Sequence, residues 1–203
     1  MYVISVLLGV WGETLWSFAN GLDDAPVRKS GEESIVKSVG NSTTTVRDLV
    51  NDTDVKLIIY VLAESVAARL RKHGLKCKTV AIHVRDKKLC SFDRQGKALA
   101  PTFISSDIAE RAMELFLANY RWDKPIRSLG VRGADLVTAA GHVQIDLFDG
   151  DNLESETLEK TIDSLRKRFG HYSIQRCAML LDRELTGFNP KDDHVIHPVA
   201  YFK

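Results

Sequence analysis

From Thr79 to Arg85 the chain alternates without a break. Val80, Ile82 and Val84 are apolar, and Thr79, Ala81, His83 and Arg85 between them are small or polar. Successive side chains of a strand point to opposite faces, so this stretch is a half-buried strand with one face on a core and a polar face outside. Such a strand needs neighbours and an apolar layer to lie on, and the flanking sequence supplies both. Asp86-Lys87-Lys88 reads as a turn, and Leu89 to Gln95 as the second strand of a hairpin, carrying Arg94. Ile35, Val36, Val39 and the β-branched Thr43 to Thr45 favour a strand that opens at Ser34. Ile126 to Arg132 reads as a fourth, with Gly130 suggesting a bulge.

Two helices fall between the strands. Behind a cap at Asp52 or Thr53, the residues Val55, Ile58, Ile59, Leu62, Val66 and Leu70 recur at helical spacing, and Gly74 closes the run. Pro101 ends the hairpin region, Ser105 to Asp107 can cap a second helix, and Ile108, Ala112, Leu115 and Phe116 form its apolar stripe. The order β-α-β-β-α-β predicts an α+β domain: a four-stranded antiparallel sheet with both helices on one face. The other face is left open.

The flanks read differently. Residues 1–22 are expected to form a helix rich in large apolar side chains, with Leu15, Trp16 and Phe18 before a stop at Gly21. Little upstream sequence is there to cover it, so it is expected to be a remnant of a larger protein. Residues 23–33 suit a linker, 34–137 the sheet domain, 138–153 a loop, and 154–203 a helical tail. In that tail Leu158, Ile162, Leu165 and Phe169, then Ile174, Ala178, Leu181 and Leu185, predict a helical hairpin broken at Gly170. The apolar N-terminus has no basic leader and no cleavage site, and is too short to span a membrane. Cys77, Cys90 and Cys177 are too few and scattered for a disulfide framework, which suits the cytoplasm. His194 and His197 are three apart but lack a third ligand, so no metal site is expected.

Net charge is +1, yet it is unevenly spread. Residues 31–140 hold 18 Lys and Arg against 13 Asp and Glu, whereas residues 141–160 hold 1 against 6. A mildly basic body followed by an acidic connector suits a domain that meets a polyanion. The first strand adds short donors: Lys37, Ser38, Asn41, Ser42 and Thr43, around Gly40. Groups of this kind grip phosphates without reading bases. His83, Arg85, Arg94, Arg127 and Arg132 lie on the other strands and, with Lys37, are expected to reach the open face or its rim. A Ser/Thr-rich edge strand with no ligand remains the plainer reading of 34–45.

Lys37-Ser-Val-Gly-Asn-Ser-Thr-Thr44, Leu62-Ala-Glu-Ser-Val-Ala-Ala-Arg-Leu-Arg71, Ser91-Phe-Asp-Arg-Gln95 and Pro125-Ile-Arg-Ser-Leu-Gly-Val-Arg132 together resemble the little-finger domain of Y-family translesion DNA polymerases, of the bacterial DNA polymerase IV type. Trp11 to Gly21 resembles the end of the family's thumb, Gln144-Ile-Asp-Leu-Phe148 its sliding-clamp motif, and Arg166-Lys-Arg-Phe-Gly170 its C-terminal extension.

The resemblance implies a role in DNA repair and damage bypass. Its DNA-binding module grips duplex or primer-template DNA through Lys37, Ser38, Asn41, Ser42, Thr43, Arg85, Arg94, Arg127 and Arg132. It docks on a bacterial sliding clamp through Gln144, Ile145, Leu147 and Phe148. It further implies that palm and fingers of a parent polymerase hold the Mg²⁺ ions and the catalytic carboxylates. This chain has no such acidic motif, so no catalytic residue and no cofactor are expected in it.

Two positions depart from the pattern. Asp93 stands where the family usually has Thr, beside Arg94, and Ile145 stands where the clamp motif usually has Leu. Two other classes stay open: an RNA-binding module that would stack bases on Phe92, and a small-molecule regulatory domain, both with ferredoxin-like topology.

Overall fold

The computed structural model describes residues 6–23, 26–27, 36–139 and 150–190. The chain divides into two compact units, residues 1–35 and 36–203. In the first, helix α1 (Val10–Ala19) starts after Gly9 and ends at Asn20 and Gly21, where a φ of 71° gives the left-handed turn expected of a glycine stop. Trp11, Leu15 and Phe18 on this helix are exposed.

The second unit runs β1 (Ser38–Leu49), α2 (Asp52–Lys72), β2 (Leu75–Asp86), β3 (Ser91–Thr102), α3 (Ser105–Asn119), β4 (Ile126–Thr138) and α4 (Gly150–Phe169). The expected β-α-β-β-α-β order is present, with the sheet ordered β1-β4-β2-β3 and every pairing antiparallel. The central strands are therefore β4 and β2. A ferredoxin-like sheet would place β1 and β3 there, so the topology on which the RNA-binding and regulatory alternatives rested is not the one found.

The core lies between the sheet and α2 and α3. All six residues of the predicted α2 stripe are buried, together with Ile108, Ala112, Leu115 and Phe116 of α3. The sheet contributes Val39, Val80, Ile82, Val84, Leu129 and Val131 from below. Each large apolar side chain removed from water this way contributes about 1.5–3 kcal/mol. The cap of α2 is Asn51 rather than Asp52 or Thr53: its side chain accepts from the Asp54 amide at 2.8 Å, leaving Asp52 to accept from the Trp122 indole. The start of α3 is held differently. Thr102 Oγ1 accepts from the Ile104 amide, and Glu159 of α4 accepts from the Ser105 amide at 3.0 Å. A carboxylate there complements the positive end of the helix.

Glu159 is one link in the docking of the tail. Arg71 of α2 is buried between Glu159 at 2.9 Å and Asp163 at 2.6 Å, and it also donates to the Phe103 carbonyl. Glu64 of α2 receives Arg166 and Arg176, each at 2.8 Å. Among the described residues beyond Phe169 the predicted second tail helix is absent. Two 3-10 turns (His171–Ser173 and Cys177–Leu181) and the four-residue helix α5 (Arg183–Thr186) replace it. Arg176 and Asp182 are committed to α2 and β1, and Asp182 caps α5 through the Leu185 amide, so this segment follows its partners rather than a helical repeat. Leu185 is buried in the main core, while Leu181, from the same predicted stripe, is exposed.

Arg47 of β1 joins this tail to the body, at 2.7 Å from both Asp54 and Asp182. Its hydrogen bonds hold both carboxyls below the usual carboxylate range, against the opposing effect of burial. Because the folded values lie below the unfolded value of about 3.9, the unfolded chain takes up more protons in that window, and stability rises with pH through it. Urea unfolding midpoints are expected to be level above about pH 5 and to fall below about pH 4. In Asp182→Asn part of that fall should vanish. Identical pH profiles for the two proteins would remove Asp182 from the account.

Candidate nucleic-acid interface

Register and burial together fix which side chains share the open face. Val80, Ile82 and Val84 of β2 are in the core, so Thr79, Ala81, His83 and Arg85 lie on the other side. Their partners give four rows across the sheet: Ser38, Ala134, Thr79, Lys97; Gly40, Arg132, Ala81, Gln95; Ser42, Gly130, His83, Asp93; and Thr44, Ser128, Arg85, Ser91. These four rows hold no Phe, Tyr or Trp and no large aliphatic side chain. The charges of these rows are Arg85, Arg132 and Lys97 against Asp93, and Asp135 of β4 accepts from the Thr79 hydroxyl beside the first row.

Close packing keeps the face low. A Cβ on Gly40 would meet Arg132 Cβ at 3.0 Å, and one on Gly130 would meet Ser42 Cβ at 3.1 Å. Glycine at these two places lets a ligand approach the backbone. Arg132 is exposed beside Gly40. Arg85 is half-buried, and its Nε is buried with no hydrogen-bond partner. Ser38 and Ser42 are exposed on the same face, and Lys37 is exposed just before β1.

The other expected contacts are placed elsewhere. Asn41 and Thr43 fall on the helix side because a strand alternates. Asn41 Nδ2 donates to Ser65 Oγ and to the Pro190 carbonyl, and Thr43 is buried. Arg94 pairs in register with Ile82, so it too lies on the helix side, where its Nε donates to Asn119 of α3 and its guanidinium covers the Phe92 ring. Asp93 therefore does not neutralise Arg94; it faces the opposite way and meets His83 at 3.1 Å. Arg127 is near the start of β4, 3.7 Å from Asp48.

Phe92 is stacked on Tyr120, which in turn stacks on Phe116. Base stacking of the kind expected for an RNA-binding module has no platform on this sheet. Lys97 and Thr44 were not among the expected contacts. The period of two starting from Asp93 and from Ser42 is the signal that leads to them.

The outer edge of β1 is partly covered. Arg69 of α2 donates to the Gly40 carbonyl, and the Asn41 side chain accepts from the Ser42 amide. This leaves the broad face, more than the edge, as the accessible polar surface.

Residues 36–147, more than half of the chain, match the impB/mucB/samB family C-terminal domain. The chain belongs to that family. The matched segment takes in the whole sheet and both covering helices. A DNA polymerase IV of Acetivibrio thermocellus is 48% identical over 180 residues, covering 88% of this chain and 45% of that protein. DNA polymerase IV 2 of Bacillus subtilis is 34% identical over 177 residues, covering 85% of this chain and 42% of that protein. The chain thus spans less than half the length of these curated relatives. Among solved structures, a complex of the β-clamp processivity factor and the little finger domain of PolIV aligns over 55% of this chain and 98% of that chain, with 18% identity and a TM-score of 0.42. What the family match establishes for this chain is that C-terminal domain.

The expected clamp segment, Gln144, Ile145, Leu147 and Phe148, lies outside the described residues, as do His194 and His197. Among the described residues no group of three or more His, Cys, Asp or Glu could hold a metal ion, and no helix is long and apolar enough to cross a membrane.

Proposed function

We propose that this chain is the part of a translesion DNA polymerase that holds the duplex, with its open sheet face laid against backbone phosphates. The observation that carries the reading is the composition of that face: Arg85, Arg132 and Lys97 stand among Ser38, Ser42, Thr44, Gly40 and Gly130, with His83, Asp93 and Gln95 between them. Short hydroxyls and arginines contact phosphate oxygens in a way that carries no sequence information. That suits an enzyme which must accept damaged templates.

In the same reading Gln144 to Phe148 docks on a bacterial sliding clamp. Palm and fingers of the parent polymerase would hold Mg²⁺, which stabilises the charge that develops as the nucleotide is joined. The described residues of this chain do not fit such an ion, and no step of that chemistry is assigned to them.

The test is binding to a short DNA duplex and to single-stranded RNA of the same length, followed by fluorescence anisotropy. Duplex DNA should bind with a Kd in the micromolar range or weaker, as non-specific phosphate contacts do, and more tightly than the RNA. A preference for single-stranded RNA, or an affinity that salt does not change, would contradict the reading.

A further inference from the structure

His83 stands in the middle of the open face, in the row Ser42, Gly130, His83, Asp93. A Cβ on Gly130 would come within 3.1 Å of Ser42 Cβ and 3.3 Å of His83 Cβ, so the row has a backbone floor between a hydroxyl and an imidazole. The ring is partly exposed, and its Nδ1 lies 3.1 Å from Asp93 Oδ1. A carboxylate at Nδ1 keeps a proton on that nitrogen and leaves Nε2 as the ring's remaining polar atom. In the neutral ring Nε2 can only accept; in the imidazolium both nitrogens donate. A phosphate oxygen is an acceptor, so only the charged ring can bond to it.

We propose that His83 is a further phosphate contact of this face, made by its protonated ring, and that Asp93 orients the ring for it, so that DNA binding tightens as the pH falls through the imidazole range. The inference rests on the reading of the open face as the DNA interface. The charged groups that face His83 are few. Asp93 on β3 is the carboxylate beside the ring, Arg132 on β4 and Arg85 two residues along β2 are the nearer cations, and Lys97 on β3 and Asp135 on β4 lie farther along the face. β1 contributes only the hydroxyls of Ser38, Ser42 and Thr44 besides Gly40. A bound phosphate adds negative charge beside the ring and favours proton uptake on binding.

The experiment compares duplex DNA binding by the full chain at pH 5.5 and pH 8, in 0.1 M salt and across a salt series. One added phosphate contact releases counterions with a slope of about 0.9 in log affinity against log salt, which is about eightfold at 0.1 M. The wild-type chain should therefore bind about eightfold more tightly at pH 5.5, with a salt slope steeper by about 0.9. His83→Gln should bind alike at the two pH values. Asp93→Asn should keep a pH step but move it to lower pH.

The inference is overturned if His83→Gln retains the whole step, or if the wild type shows none while still binding at pH 8. If the wild type binds duplex DNA at neither pH, the DNA reading of the face fails and this inference with it.

Discussion

Arg71→Ala is expected to destabilise the sheet unit by about 3–5 kcal/mol, the range seen when one partner of a buried ion pair is removed. The Arg71 side chain is 6% exposed and the Glu159 side chain 10%. Truncation leaves Glu159 with only Arg176, at 4.0 Å, beside the start of α3, loses the bond to the Phe103 carbonyl, and frees Asp163. The cost comes from leaving a buried charge with one distant partner, so it exceeds what the pair contributed when intact. Glu159→Gln should cost much less, because an amide oxygen can still accept from the Ser105 amide while Asp163 still faces Arg71. Urea denaturation of the three proteins tests this. A loss below about 1 kcal/mol for Arg71→Ala would mean that the tail is only loosely docked.

Replacing Leu147 and Phe148 together by Ala is expected to abolish binding to a bacterial sliding clamp. In the proposed complex these two side chains fill an apolar cleft, Ile145 packs at its rim, and the Gln144 amide fixes register. Each buried side chain contributes roughly 1.5–3 kcal/mol, less the cost of ordering the peptide. Losing about 3 kcal/mol or more weakens a micromolar complex by over a hundredfold, beyond detection by calorimetry. DNA binding by the same variant should be unchanged, because the proposed DNA face is built from other residues. If the wild-type chain gives no heat with the clamp, the partner assignment goes. If the double variant unfolds, the segment is core.

The elements were legible where one periodicity ran long. The α2 stripe from Val55 to Leu70 and the alternation from Thr79 to Arg85 each settle an element and a buried face, and their order gives the layered architecture. What failed was the assignment of faces in β1 and β3. The donors Lys37, Ser38, Asn41, Ser42 and Thr43 read as one group by composition, yet a strand sends Ser38 and Ser42 one way and Asn41 and Thr43 the other. Arg94 shares its parity with Phe92, and an aromatic on an otherwise polar strand already marks the core side, so that signal was present in the sequence. The strand order was not. Nothing local distinguishes β4 from β3 as the neighbour of β1. The tail beyond Phe169 was illegible for a related reason, since Arg176 and Asp182 are shaped by Glu64 and Arg47, far away in sequence.

The most direct test of the central claim is the salt dependence of duplex DNA binding for the wild-type chain, Arg132→Ala and Arg94→Ala at one pH. These two arginines lie on opposite faces of the same sheet. The account predicts that Arg132→Ala lowers the slope of log affinity against log salt by about 0.9 and weakens all sequences alike, while Arg94→Ala leaves the slope as it was. A loss of slope with Arg94→Ala and none with Arg132→Ala would place the nucleic acid on the helix side and contradict it.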